Sequence, residues 1–129
     1  MHHPIATRSH KFVFLLFSIC LLLTYGERPW AHAVVTESSL AQNPIQPNHA
    51  TTVVLFFNSN VELPLSRVFL VSKGDVYHPV QIEKGKKPGE MRIQVPALAP
   101  GEYALKYKVF AADGHFTENV IRFHVSELR

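Results

Sequence analysis

An aspartate and a histidine two residues apart, Asp113-Gly-His115, stand between two strand-like segments near the end of the chain. In extended backbone, residues i and i+2 point to the same side, so this carboxylate and imidazole would converge on one ion. Gly114 leaves the backbone between them unobstructed. Asp-Gly is equally a common hairpin turn, and in that case the histidine is an ordinary surface residue. A second histidine, His32, gives the pair more weight if the chain is trimmed to begin there. A histidine at a free N-terminus offers its α-amine and Nδ1, which close a six-membered chelate ring on one metal. Joined to Asp113 and His115, it makes a set of three nitrogens and one oxygen. Tetragonal N,O coordination is the preference of Cu(II), which also heads the divalent affinity series. All these ligand atoms must be deprotonated to bind, so acid weakens such a site.

Whether His32 becomes an N-terminus depends on the first thirty residues. A weakly basic stretch carrying Arg8 and Lys11 leads into an unbroken apolar run, Phe12 to Leu23. About a dozen apolar residues are too few to cross a roughly 30 Å hydrocarbon core as a helix. Basic n-region, short apolar h-region and small residues beyond are the layout of a secretory signal peptide. The cut falls within Arg28-Pro-Trp-Ala-His-Ala-Val34. Cleavage after Ala31 frees His32 but puts Pro29 at −3. Cleavage after Ala33 satisfies the small-x-small rule with Ala31 and Ala33. The local rule leans toward the cut after Ala33, so a start at His32 needs support from elsewhere.

From His32 onward the chain is roughly a hundred residues, one domain's worth. That segment holds ten Lys/Arg and nine Asp/Glu, so its balance gives no electrostatic footprint for nucleic acid or anionic lipid. Cys20, the sole cysteine, lies in the apolar run, and Ile19 before it is not the small residue of a lipoprotein cleavage site. A cysteine-free domain has no disulfide framework, no thiolate nucleophile and no thiolate metal site. Met91 is its one methionine, so soft sulfur ligands for Cu(I) are nearly lacking. There is no Ser/His/Asp arrangement in a recognisable context and no phosphate loop.

The elements that must position these residues read as short strands broken by Pro, Gly and Asn. Ala33 to Ser39 suits an edge strand, and Thr51 to Phe57 suits a buried one. Arg67–Ser72 and Val76–Glu83 flank Lys73-Gly-Asp75 as a hairpin. Met91–Val95 alternates and stops at Pro96. In Tyr103–Phe110, Tyr103, Leu105, Tyr107 and Val109 share one face, with Lys106 and Lys108 opposite. Ile121, Phe123 and Val125 alternate with Arg122 and His124 in a last strand. No segment sustains a helical period. About seven strands with closely spaced turns predict an all-β fold, a single Greek-key β-sandwich of immunoglobulin or cupredoxin-like type.

Several of these segments together carry a family resemblance. They are the His32-Ala33 start after a leader, Ser39…Asn43-Pro44, Val54-Leu-Phe-Phe57, Leu98-Ala-Pro-Gly-Glu-Tyr103, Asp113-Gly-His115 and Phe123-His-Val125. In this order, spanning almost the whole domain, they resemble the CopC family of copper-resistance and copper-trafficking proteins. The resemblance implies a mature chain beginning at the histidine, hence a signal peptide over 1–31 and a copper-binding domain over 32–129. It implies His32, Asp113 and His115 as ligands of Cu(II), no catalytic residues, and a periplasmic or extracytoplasmic copper carrier or buffer. A membrane copper permease is the partner it suggests, without membrane insertion of the mature chain. Two departures stand out. The acidic residue often found after the strand matching Val54–Phe57 is replaced by the turn Asn58-Ser-Asn60, and Asn119 stands where a glycine is usual. The methionine-rich loop of some members is missing, which implies a Cu(II)-only member.

Two other functions compete. An N-terminal histidine beside a second histidine also resembles the site of copper polysaccharide monooxygenases. Against it, the domain is small for a substrate platform, and Asp113 would fill an equatorial position that O₂ needs. Sandwiches also serve as metal-free structural or adhesion modules, in which the histidines are incidental. His49, His78 and His124 are expected to face solvent rather than an ion.

Overall fold

The structure, a computed structural model, describes residues 13–18 and 32–127. The chain divides into two units, Met1–Trp30 and Ala31–Arg129. In the first, residues 13–18 are helical with exposed side chains. The expected n-region and the cleavage segment through Ala31 lie outside the described residues. No helix of the described residues is long and apolar enough to cross a membrane.

In the second unit the period-two alternation of apolar residues becomes two antiparallel four-stranded sheets. The strands are β1 (Val35–Ser38), β2 (Thr51–Phe57), β3 (Arg67–Ser72), β4 (Val76–Pro79), β5 (Ile82–Lys84), β6 (Glu90–Val95), β7 (Gly101–Phe110) and β8 (Phe116–Val125). The first sheet runs β1-β2-β6-β5, and the second β4-β3-β7-β8. Val53, Leu55 and Phe57 of β2 and Met91, Ile93 and Val95 of β6 turn inward from the first sheet. From the second, Val68, Leu70, Leu105, Tyr107, Val109 and Val125 meet them. Phe57 and Tyr107 bridge the sheets edge to face, with centroids 5.6 Å apart. Burial pushes the Tyr107 hydroxyl pKa up, partly offset by its hydrogen bond with Asn119. The phenol therefore stays neutral inside the core.

The all-β sandwich is as expected, with one strand more than the sequence suggested. The stretch expected as a single strand from Val76 to Glu83 is two. β4 pairs with β3 in the second sheet, and β5 pairs with β6 in the first. Pro79 has no N–H to donate to a ladder, so pairing ends there. Val80 N–H still reaches the Val68 carbonyl at 3.2 Å, and beyond it Gln94 N–H bonds the Gln81 carbonyl at 2.9 Å. The chain thus passes from one sheet to the other within two residues. β1 is an edge strand, shorter than the Ala33–Ser39 span, because Ser39–Ala41 winds into a 3-10 turn capped by Ser38.

One end of the sandwich gathers the chain segments that matter for chemistry. The segment entering β1, the turn after β2 and the β7–β8 turn all meet there. Asn58 N–H bonds the Val34 carbonyl at 2.9 Å, and Ala112 N–H bonds the Asn60 carbonyl at 3.0 Å. A single β-bridge joins Val61 to Ala111.

Candidate metal centre

The β7–β8 connection is a tight turn rather than extended backbone. Gly114 takes φ +83°, a conformation glycine adopts without strain, while a Cβ there would meet nothing within 4 Å. Gly114 N–H bonds the Ala111 carbonyl at 3.0 Å, and Ala111 N–H bonds the His115 carbonyl at 2.9 Å. The convergence of Asp113 and His115 therefore does not come from the extended i, i+2 geometry expected. It comes from an Asx-type contact in which Asp113 Oδ1 accepts the His115 N–H at 3.0 Å. The hairpin turn and the converging side chains are both present, since the turn is what brings them together.

This contact leaves the other carboxylate oxygen in an unusual state. The Asp113 side chain is 5% exposed, and its Oδ2 is buried with no hydrogen-bond partner. A buried anionic oxygen left without a donor is costly, so it marks a place where a cation or a donor belongs. Two imidazoles face it. His32 Nδ1 lies 3.8 Å from Oδ2 and His115 Nδ1 3.5 Å. The rings stand edge to face with centroids 5.6 Å apart. The three candidate ligand atoms all lie within 4.8 Å of one another. Both histidine side chains are about two-thirds exposed, so the cluster is an open rim over a buried carboxylate. On His32, the nitrogen turned toward Asp113 is the one a chelate with its own α-amine requires.

His32, Asp113 and His115 were brought together from opposite ends of the chain, and they are the three residues singled out from the sequence. The other histidines lie elsewhere. His49 Nδ1 contacts the Pro47 carbonyl at 2.8 Å, His78 Nε2 contacts Ser72 Oγ at 3.1 Å, and His124 pairs with Glu102. All three are exposed, as expected. Met91 is 1% exposed in the core and presents no sulfur at the surface.

The supporting roles of two residues were not foreseen from the sequence, although the turn that begins at Asn58 stands out there as a departure from the family. Ser66 is 1% exposed, and its hydroxyl donates to the Glu62 carbonyl at 2.8 Å and accepts Phe110 N–H at 3.0 Å. It ties the crossing between sheets to the last residue of β7, just ahead of the Asp113 turn. Asn58 Oδ1 accepts the Val34 N–H at 2.8 Å. A serine between Leu65 and Arg67, or an asparagine after a strand, gives no signal in the sequence beyond polarity.

The CopC domain family matches residues 35–126, most of the chain. The chain belongs to that family. No curated protein matches it. Among solved structures, CopC from Methylosinus trichosporium OB3b is similar at 27% identity and a TM-score of 0.59, over 74% of this chain and 94% of that one. PcoC from Escherichia coli, described as a methionine-rich copper resistance protein, is similar in fold at 21% identity and a TM-score of 0.57, over 74% of this chain and all of that one. The CopC domain match begins at Val35, just after His32, and runs through the turn that carries Asp113 and His115.

Proposed function

We propose that this CopC domain is an extracytoplasmic Cu(II)-binding protein, a carrier or buffer in copper homeostasis or resistance rather than an enzyme. The observation that carries the reading is the buried, unpartnered Asp113 Oδ2 with Nδ1 of His32 and of His115 turned toward it. Copper is the cargo, held by the α-amine and Nδ1 of His32, the Asp113 carboxylate and the His115 imidazole. Without accessible thiolate or thioether, such an N,O set suits Cu(II) over Cu(I). The relatives described as CopC and as a copper resistance protein support the same cargo. A membrane copper permease is a fitting recipient.

The α-amine exists only if residues 1–31 are removed as a signal peptide. Packing favours that cut over the one after Ala33. Ala33 is fully buried in the core, and Val34 is bonded through both its N–H and its carbonyl to Asn58. Removing Ala33 would strip a buried side chain and leave Val34 as a charged terminus inside that bonded pair. A cut after Ala31 leaves all of this intact.

Intact mass of the exported protein tests the first half: the expected first residue is His32, and a start at Val34 would sink the site. Native mass and EPR test the second. One Cu(II) with a tetragonal signal is expected, lost on chelation, and its absence would leave a metal-free module.

A further inference from the structure

The two halves of the proposed site come from different sheets and from opposite ends of the chain. His32 precedes β1 of the first sheet, and Asp113 and His115 sit between β7 and β8 of the second. One short turn, Asn58-Ser-Asn60, is bonded to both. Asn58 holds Val34 by two hydrogen bonds, its Oδ1 accepting the Val34 N–H at 2.8 Å and its own N–H donating to the Val34 carbonyl at 2.9 Å. Two residues on, the Asn60 carbonyl accepts the N–H of Ala112, the neighbour of Asp113, at 3.0 Å. The Val61–Ala111 bridge and the Glu62 N–H bond to the Phe110 carbonyl at 2.9 Å continue that contact.

The carboxamide does what backbone does not. β1 pairs with β2 at Val35–Phe57, and the register slips between Val35 and Glu37. At this irregular end of the ladder, the Val34 N–H finds its acceptor in the Asn58 side chain. Only Ala33 separates Val34 from His32. In a chain that begins at His32, the direction in which the histidine leaves the sandwich is therefore set at Val34. Terminal residues without such ties are poorly ordered, and a chelating arm that must be ordered on binding loses affinity.

We propose that Asn58 is a positioning residue for copper: its carboxamide, by holding Val34, aims the His32 arm at the Asp113–His115 turn. This rests on the Cu(II) reading above. It goes beyond it in giving a metal-remote turn residue control over one arm only.

The test uses the processed protein beginning at His32, with Cu(II) affinity measured by chelator competition and coordination by EPR. Asn58→Ala is expected to weaken Cu(II) binding about tenfold, within the range of outer residues that orient ligands. Its EPR signal should lose nitrogen character as the arm disengages. The deciding comparison is made in a His32→Ala background, where the arm is already gone and Asn58→Ala should change affinity no further. Equal losses in both backgrounds would mean general damage to the fold and would overturn the proposal, as would no loss in either. Asn58 is exposed, so the variant should fold. Asn58→Gln, which displaces the acceptor by one methylene, carries the same comparison if it does not. Should the unaltered protein bind no Cu(II), it is the site itself that fails, an outcome distinct from the other two.

Discussion

Two histidine–carboxylate clusters in this molecule are built from the same functional groups and differ in what surrounds them. At one end, Asp113 is 5% exposed, held by a backbone N–H through one oxygen and left without a partner on the other, with two imidazoles over it. On the outward side of the second sheet, Glu102 is 78% exposed and touches the single imidazole of His124, itself 56% exposed. Water satisfies the exposed carboxylate as well as the histidine does, and such surface pairs add little. The buried one is largely shielded from water. The same functional groups thus stand in two settings: one carboxylate is shielded by the fold and faces two imidazoles, the other is open to solvent beside one.

The largest expected effect that can break this comparison is Asp113→Ala. Cu(II) affinity should fall by at least ~100-fold, beyond the span seen for outer residues, in the same competition assay that leaves Glu102→Gln unchanged. Equal responses from the two variants would erase the distinction. Blocking the amine comes next: a protein that keeps Ala31 ahead of His32, or is acetylated at His32, should lose the tetragonal EPR signal while its melting temperature without copper stays unchanged. Acid should release copper for the same reason, because every proposed ligand atom must be deprotonated.

A subtler contrast concerns stability. Ser66→Ala leaves the Phe110 N–H without its acceptor in a buried setting, and denaturant unfolding should show a loss of about 1–3 kcal/mol. Copper affinity should follow in part, since β7 ends at Phe110, three residues before Asp113. Smallest of all is the Lys106–Glu118 pair at 2.8 Å on the outer face. Its partner holds the Glu118 carboxyl below its ordinary value and Lys106 above its own. The contribution from Glu118 is thus present above the usual glutamate range and lost as pH falls through the lowered value. That from Lys106 is present below the usual lysine value and lost as pH rises through the raised one. The pair lies at the surface with both side chains partly exposed, where such pairs add little, so unfolding of Glu118→Gln from mild acid to mild alkali should superimpose on that of the unaltered protein.

Much of the sandwich was legible because period two is a local property. The inward residues of β7 and β8 follow from alternation, and the hairpin at Lys73-Gly-Asp75 from its turn residues, where Gly74 and Asp75 take positive φ. The division of Val76–Glu83 between two sheets was not, since an apolar run with a proline does not say which neighbour will pair with it. Likewise Val54–Phe57 looks continuously apolar, yet Val54 and Phe56 turn to the less buried side of the first sheet.

Residue type and spacing drew attention to an aspartate and a histidine around a glycine, and to a histidine that trimming can bring to the front; the CopC resemblance is what implied them as one ligand set. These are properties of covalent order, and no folding is needed to read them. Their meeting is another matter. The paired sheets carry residue 32 to residue 113, packing around the Asp113 turn leaves one carboxylate oxygen buried and unbonded, and bonds from Asn58, Asn60 and Ser66 tie the flanking segments. Burial and long-range hydrogen bonding depend on neighbours far away in the chain, and a local pattern contains no record of them.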